Sequence, residues 1–85
     1  MKKNRLTLAD VLELGKYDGN VVYLEHRNRW ESELYDGWYE PVYEGDGHSV
    51  SFYTPGTDEL VATYHHGYNK QWRCWFDHPA QAEWR

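Results

Sequence analysis

Isoleucine is absent from the 85 residues, and cysteine and methionine occur once each. Fifteen Phe, Trp and Tyr outnumber Val and Leu together. A domain this small buries only about 60% of its unfolded surface, so a core with so few aliphatics must take in aromatic rings. Tyr and Trp join apolar area to a polar tip and suit half-buried sheet surfaces. The lone Cys74 excludes an intramolecular disulfide framework and fits a reducing compartment. Cations are scarce: nine Lys and Arg stand against fourteen Asp and Glu, for a net charge of −5. Nucleic-acid affinity rests on neutralising phosphates, so this balance argues against direct binding to nucleic acid. No apolar run approaches the ~18 residues of a membrane span and no signal-peptide core is seen. The chain is therefore expected to be soluble and cytoplasmic, with no membrane contact. Glycines fall as turn punctuation, without a phosphate-binding Gly-x-Gly-x-x-Gly or Walker pattern.

What is present reads as one domain. Residues 1–5, with Lys2, Lys3 and Arg5, form a flexible tail. Residues 6–15 form a helix: Thr7 is the N-cap, Asp10 completes a capping-box-like pair, and Leu6 and Val11 are placed as a hydrophobic staple. Leu8, Val11 and Leu12 give its apolar stripe and Gly15 ends it. A helix of two turns cannot stand alone in water, so it must dock. Beyond Gly15 the hydrophobic period changes to two, punctuated by Asp18-Gly19, Asp36-Gly37, Asp46-Gly47, Pro55-Gly56 and His66-Gly67. Residues 20–76 read as an antiparallel sheet with strands near 20–26, 30–35, 38–44, 48–53, 59–65 and 71–76. Residues 77–85 are a C-terminal tail. The expected fold class is α+β: a short N-terminal helix packed on an antiparallel β-meander of five or six strands.

Hairpin arithmetic gives a register. Turns at Asp36-Gly37 and Asp46-Gly47 pair Leu34 with Tyr39, Tyr43 with Val50 and Pro41 with Phe52. Longer loops pair Phe52 with Leu60, Val50 with Ala62, Tyr64 with Trp72, Ala62 with Cys74 and Leu60 with Phe76. Paired residues share a face. The core face then holds Trp30, Leu34, Tyr39, Pro41, Tyr43, Val50, Phe52, Leu60, Ala62, Tyr64, Trp72, Cys74 and Phe76. Pro41 cannot donate to a ladder, which puts its strand at an edge or a bulge. The opposite face gathers Glu31, Glu33, Tyr35, Trp38, Glu40, Glu44, Tyr53, Arg73 and Trp75. Between Trp30 and Asn69 lie eight Asp or Glu and no Lys or Arg. The register sets Glu33 against Glu40, and like charges directly opposite are destabilising.

Catalytic chemistry finds little support. His48, His65, His66, Cys74 and His78 could ligate zinc, but knuckle spacing is missing and adjacent His65 and His66 point to opposite faces. Cys74 between Trp72, Trp75 and Phe76 reads as a small core hydrophobe, not an activated thiol. Base stacking on Tyr35, Trp38, Tyr53 and Trp75 lacks the basic track that phosphates require. No catalytic residue, metal site or cofactor is called. The acidic, aromatic face reads instead as a binding surface, because Trp is enriched at interface hot spots.

The run Tyr68-Asn69-Lys70-Gln71-Trp72-Arg73-Cys74-Trp75, followed by Pro79 and Trp84, resembles the closing segment of short proteins carried by bacterial phages and conjugative elements. There a Tyr-x-Lys-x-Trp-Arg-x-Trp run precedes a Pro-led acidic tail. Asp77-His78 and Ala80 depart from the basic residue and Thr that usually flank the Pro. The resemblance implies a small accessory protein in a bacterial host cell and assigns no functional residue. The expectation is a non-enzymatic protein that binds a partner bearing a basic patch, with Trp38, Tyr35, Tyr53, Trp75 and Arg73 in contact and Glu31, Glu33, Glu40 and Glu44 steering the encounter. The alternative is a DNA-mimic inhibitor of a host nuclease or defence complex, of the anti-restriction or anti-CRISPR class. A metal- or thiol-dependent enzyme is the third reading.

Overall fold

The computed structural model describes residues 4–78. Two short helices and five strands follow the order α1 (Leu8–Leu14), β1 (Val22–His26), α2 (Arg29–Tyr35), β2 (Gly37–Tyr43), β3 (Val50–Tyr53), β4 (Leu60–Tyr64) and β5 (Trp72–Trp75). The sheet is antiparallel with spatial order β4-β3-β2-β1-β5. It is an α+β fold, and no described helix is long and apolar enough to cross a membrane.

Helix α1 forms as its sequence dictates. Thr7 Oγ1 accepts from the Asp10 N–H, and Asp10 returns the bond to the Thr7 N–H. Leu6 and Val11 are both buried, so the staple closes onto the core. Gly15 follows at φ −71°, an ordinary right-handed value. A Cβ there would lie 2.7 Å from the Tyr43 backbone nitrogen. The Gly15 carbonyl accepts from that same N–H at 2.9 Å. Glycine is needed at this position for close approach of the helix end to β2, not for a left-handed turn.

Residues 30–35, read above as a strand, are helical. Asn28 caps α2, its side chain accepting from the Trp30 and Glu31 N–H groups. Asp36 does not open a hairpin with Gly37. Its carboxylate is held by the His26 N–H at 2.7 Å, His26 Nδ1 at 2.9 Å and Ser32 Oγ at 2.5 Å. The helix also removes the Glu33–Glu40 juxtaposition that a strand would have imposed.

The last strand departs from the meander. β5 pairs with β1, setting His26 opposite Trp72 and Leu24 opposite Cys74. The predicted Tyr64–Trp72, Ala62–Cys74 and Leu60–Phe76 ladder does not form, although Tyr64 and Trp72 meet by stacking, with ring centroids 4.7 Å apart. The β2–β3 register is as predicted, with Pro41 opposite Phe52 and Tyr43 opposite Val50. The β3–β4 register is displaced by two residues, so that Phe52 faces Ala62 and parity is kept. Residues 4–6 are tied down: Leu6 N–H donates to the Cys74 carbonyl, and Phe76 N–H donates to the Asn4 carbonyl. The described end of the predicted flexible tail thus covers the outer edge of β5. Pro41 lies in a central strand, not at an edge. Pairing with β1 stops at Tyr39, and Tyr43 N–H on that side reaches α1 instead. Alternate backbone groups of a strand point the same way, so Pro41 sits where no ladder bond is asked of it.

The core lies between α1 and one face of the sheet. Leu6, Val11, Val22, Leu24, Val50, Phe52, Trp72 and Cys74 are buried. Phe52 meets Trp72 edge to face at 5.8 Å, and Tyr68 does the same at 4.9 Å. Such pairs add about 0.5–1.5 kcal/mol each beyond burial. Four residues assigned to the core face lie outside it: Trp30 and Leu34 on α2, Leu60 at the bulged start of β4, and Phe76 past the end of β5.

Gly15→Ala raises intrinsic helix propensity, yet it is expected to destabilise the fold by about 1–3 kcal/mol, because backbone must move to admit the methyl group. Urea denaturation of the variant beside the native protein checks this.

Candidate functional site

Strand parity builds one open face. Tyr23 lies opposite both Trp38 and Trp75, Glu25 opposite Arg73, Glu40 opposite Tyr53, and Ser51 opposite both Val42 and Thr63. This face therefore brings together six of the predicted contact residues: Trp38, Glu40, Glu44, Tyr53, Arg73 and Trp75. Glu31, Glu33 and Tyr35 are elsewhere. They ride on α2, whose Tyr35 ring stands 6.2 Å from the ring of His26, on the core side of the sheet. Burial holds the Tyr64 hydroxyl protonated, and the Glu31 carboxylate adds to that effect from the same side.

The β1–β5 half of the open face is internally satisfied. Arg73 Nε donates to Glu25 Oε1 at 2.6 Å, and Trp75 Nε1 donates to the same oxygen at 2.8 Å. Glu25 and Arg73 are only 3% and 7% exposed, so Arg73 is not offered to a partner as the sequence reading required. Its guanidinium also lies 5.0 Å from the Trp75 ring centroid. Tyr23 packs edge to face on Trp38 at 5.4 Å and against His78 at 4.5 Å. Trp38 keeps 41% of its surface.

The β2–β3 half is open and acidic. Asp18, Glu40, Val42, Tyr53, Thr57 and Asp58 line a hollow of about 330 Å³. Glu40 is steadied by N–H groups from two loops, Gly19 at 3.3 Å and Gly56 at 3.4 Å. Further along, Glu44 accepts from Ser51 Oγ, which lies 2.8 Å from Thr63 Oγ1. Glu44 is thereby fixed by its own face.

A second polar cluster closes the β2–β3 connection. Asp46 accepts from the backbone N–H groups of His48 and Ser49 and from Ser49 Oγ. Ser49 Oγ holds Asp46's carboxyl well below the usual carboxylate range, with the two backbone bonds adding to it. The hydroxyl proton is committed to Asp46, so His65 Nδ1, 2.7 Å from Ser49 Oγ, must donate to it. The order Asp–Ser–His pairs the serine hydroxyl with a carboxylate held at low pKa, which is a weak base. Sequence reasoning missed Asp18 and Asp58, which reach the hollow through long-range loop closure and carry no local signal. It missed Glu25 too, which the alternation of Val22, Leu24 and His26 against Tyr23 and Glu25 in β1 would have placed beside Arg73.

The His and Cys residues weighed as zinc ligands are dispersed. Cys74 is buried on the core face, where desolvation pushes its thiol up. His48 meets His65, His66 gives its carbonyl to Trp72 Nε1, and His78 packs on Tyr23. Among the described residues no three His, Cys, Asp or Glu are grouped to hold a metal ion. Pro79 and Trp84 lie outside the described residues. Comparison with known proteins brings no match: no family model, curated protein or solved structure matches the chain.

Two outcomes follow from the face. Arg73→Met strands a buried carboxylate and is expected to cost about 3–5 kcal/mol, while adding Glu25→Leu restores most of that loss; denaturation of the two variants measures it. Asp46 has a depressed carboxyl pKa when folded, so its contribution to stability is full at neutral pH and drains away as the pH falls below about 4. Asp46→Ala should therefore lie below the native protein in thermal stability at pH 7 and converge with it in acid.

Proposed function

We propose that the protein is a non-catalytic accessory protein that binds a protein partner through the open sheet face, in the bacterial mobile-element setting its closing segment implies. The observation that carries this reading is the hollow in which Glu40, Asp18 and Asp58 stand around Tyr53 and Val42. A lysine or arginine side chain has the form that suits it, an apolar stem for Tyr53 and Val42 and a cationic head for three carboxylates. Trp38, on the same face, supplies an exposed aromatic anchor. The remaining carboxylates steer a basic partner into place.

Imitation of DNA calls for a track of charges along the surface. Glu31 and Glu33 belong to the other side of the sheet, and Glu44 is bonded to Ser51. The acidic hollow is one point of negative charge, which suits a single inserted cation better than a phosphate backbone.

Affinity capture from a bacterial lysate, quantified for the native protein, Trp38→Ala and Glu40→Gln in parallel, tests the reading. A genuine partner is lost with Trp38→Ala, at about 2 kcal/mol or more, and associates more slowly with Glu40→Gln. Binding that ignores both substitutions would falsify the proposal. Competition by double-stranded DNA for the same partner would establish the decoy instead.

A further inference from the structure

Helix α2 is inverted relative to α1. Where α1 buries its apolar stripe, none of the seven residues of α2 is buried. Polar bonds hold it in place. Asn28 caps it, Ser32 Oγ donates to the Asp36 carboxylate at 2.5 Å, and the Tyr35 carbonyl accepts from Tyr39 Oη at 2.8 Å. Its apolar stripe is left to the outside. Trp30 and Leu34, four residues apart and so on one side of the helix, are 72% and 58% exposed, and Tyr35 next to Leu34 is 42% exposed. No large apolar side chain among the described residues is more exposed than Trp30. A helix of two turns is marginal in water and ordinarily gains its stability by burying such a stripe.

The charges beside the stripe decide what can cover it. Glu31 lies on one flank and Glu33 on the other, both exposed, and neither belongs to an ion pair among the described residues. Any partner that takes in Trp30 and Leu34 brings these two carboxylates against its own surface. An anionic lipid surface or a nucleic acid would be repelled by them. A second copy of this chain, docked through its own α2, would set Glu31 and Glu33 against the same two residues, and one Arg29 on each helix leaves that contact acidic. An apolar seam with Lys or Arg on both of its edges satisfies the stripe and the flanks together. A helix is the form that suits a ridge of residues four apart, because such ridges pack into the grooves of a second helix. Two turns span only about 10 Å, so the contact is small and the binding weak.

We propose that α2 is a docking surface for a basic amphipathic helix of another protein, with Trp30 and Leu34 in its apolar seam and Glu31 and Glu33 against its flanking Lys or Arg. This surface is separate from the open sheet face, because α2 lies on the core side of the sheet.

Amide chemical-shift titration of the full chain tests this, with a synthetic amphipathic helix of Leu and Lys as the probe. Its controls are the same helix with Glu for Lys, a Lys peptide without Leu, and vesicles of anionic lipid. The Leu/Lys helix should give saturable shifts at residues 29–35 in the micromolar to millimolar range, and each control should bind about tenfold more weakly or worse. Trp30→Ala is expected to weaken the probe about tenfold. The double variant Glu31→Gln, Glu33→Gln should weaken it as well and flatten its dependence on salt. These side chains are exposed, so the substitutions spare the core. The assignment is overturned if a control binds as tightly as the probe, if Trp30→Ala binds like the native protein, or if the chain self-associates through residues 29–35. Shifts confined to Trp38, Glu40 and Tyr53 would overturn it too, while leaving the open sheet face as the binding surface. The preference of the native chain for Leu/Lys over Leu/Glu, read at residues 29–35, stands as evidence without any variant.

Discussion

One buried imidazole holds this fold in its particular arrangement. His26 is 2% exposed and ends β1. The Asp36 carboxylate can only accept, so Nδ1 carries a proton toward it at 2.9 Å, and Nε2 is hydrogen-bonded to the Tyr64 hydroxyl at 2.5 Å. The chain Asp36–His26–Tyr64 thus joins the C-cap of α2, the inner strand β1 and the far edge strand β4. A buried polar network of this kind is costly when any member is missing and specifies one packing when all are present. It spends Asp36 on His26 instead of on a hairpin turn, and it lets residues 29–35 close as a helix. It also seats Tyr64 on Trp72, so that the two edge strands meet over the core by stacking, not by a ladder.

That arrangement divides the polar chemistry between two sides. The glutamates and Tyr35 of α2 lie with the helices, while Trp38, Glu40, Glu44, Tyr53 and Trp75 remain on the open face. Half of that face is spent on itself, because Glu25 takes both Arg73 and the Trp75 indole. What stays available is an acidic hollow at one end and the exposed edge of Trp38 nearby.

Much of this was legible before any coordinates. The capped helix from Thr7, the β2–β3 hairpin with Pro41 against Phe52, the inward parity of Val50, Phe52, Trp72 and Cys74, and the outward parity of Trp38, Glu40, Tyr53 and Trp75 all follow from period and turn chemistry. Alpha helix α2 left two traces that were readable: Asn28 with Glu31 three residues on is a start signal of the capping-box type, and the Glu33–Glu40 clash argued against a strand. The Asp36-Gly37 pair outweighed them, because a dipeptide shows that a turn is favourable but not what else its carboxylate will bind. The strand order was less accessible. Nothing near β5 in the chain records that it will pair with β1, some fifty residues away, since that choice is made by the burial of Trp72 and Cys74 against Leu24 and His26.

The amino-acid sequence by itself determined the local alphabet: where elements begin, which side chains alternate, and that the surface would be acidic and rich in rings. Those properties rest on interactions within a few residues, where capping, φ/ψ preference and side-chain period act. Only the tertiary structure decided which elements are neighbours, that Arg73 is neutralised and Trp30 exposed, and that Asp18, Glu40 and Asp58 share one hollow. Such outcomes depend on long-range competition for buried partners, and a carboxylate such as Asp36 or Glu25 chooses among these only once the chain has closed around it.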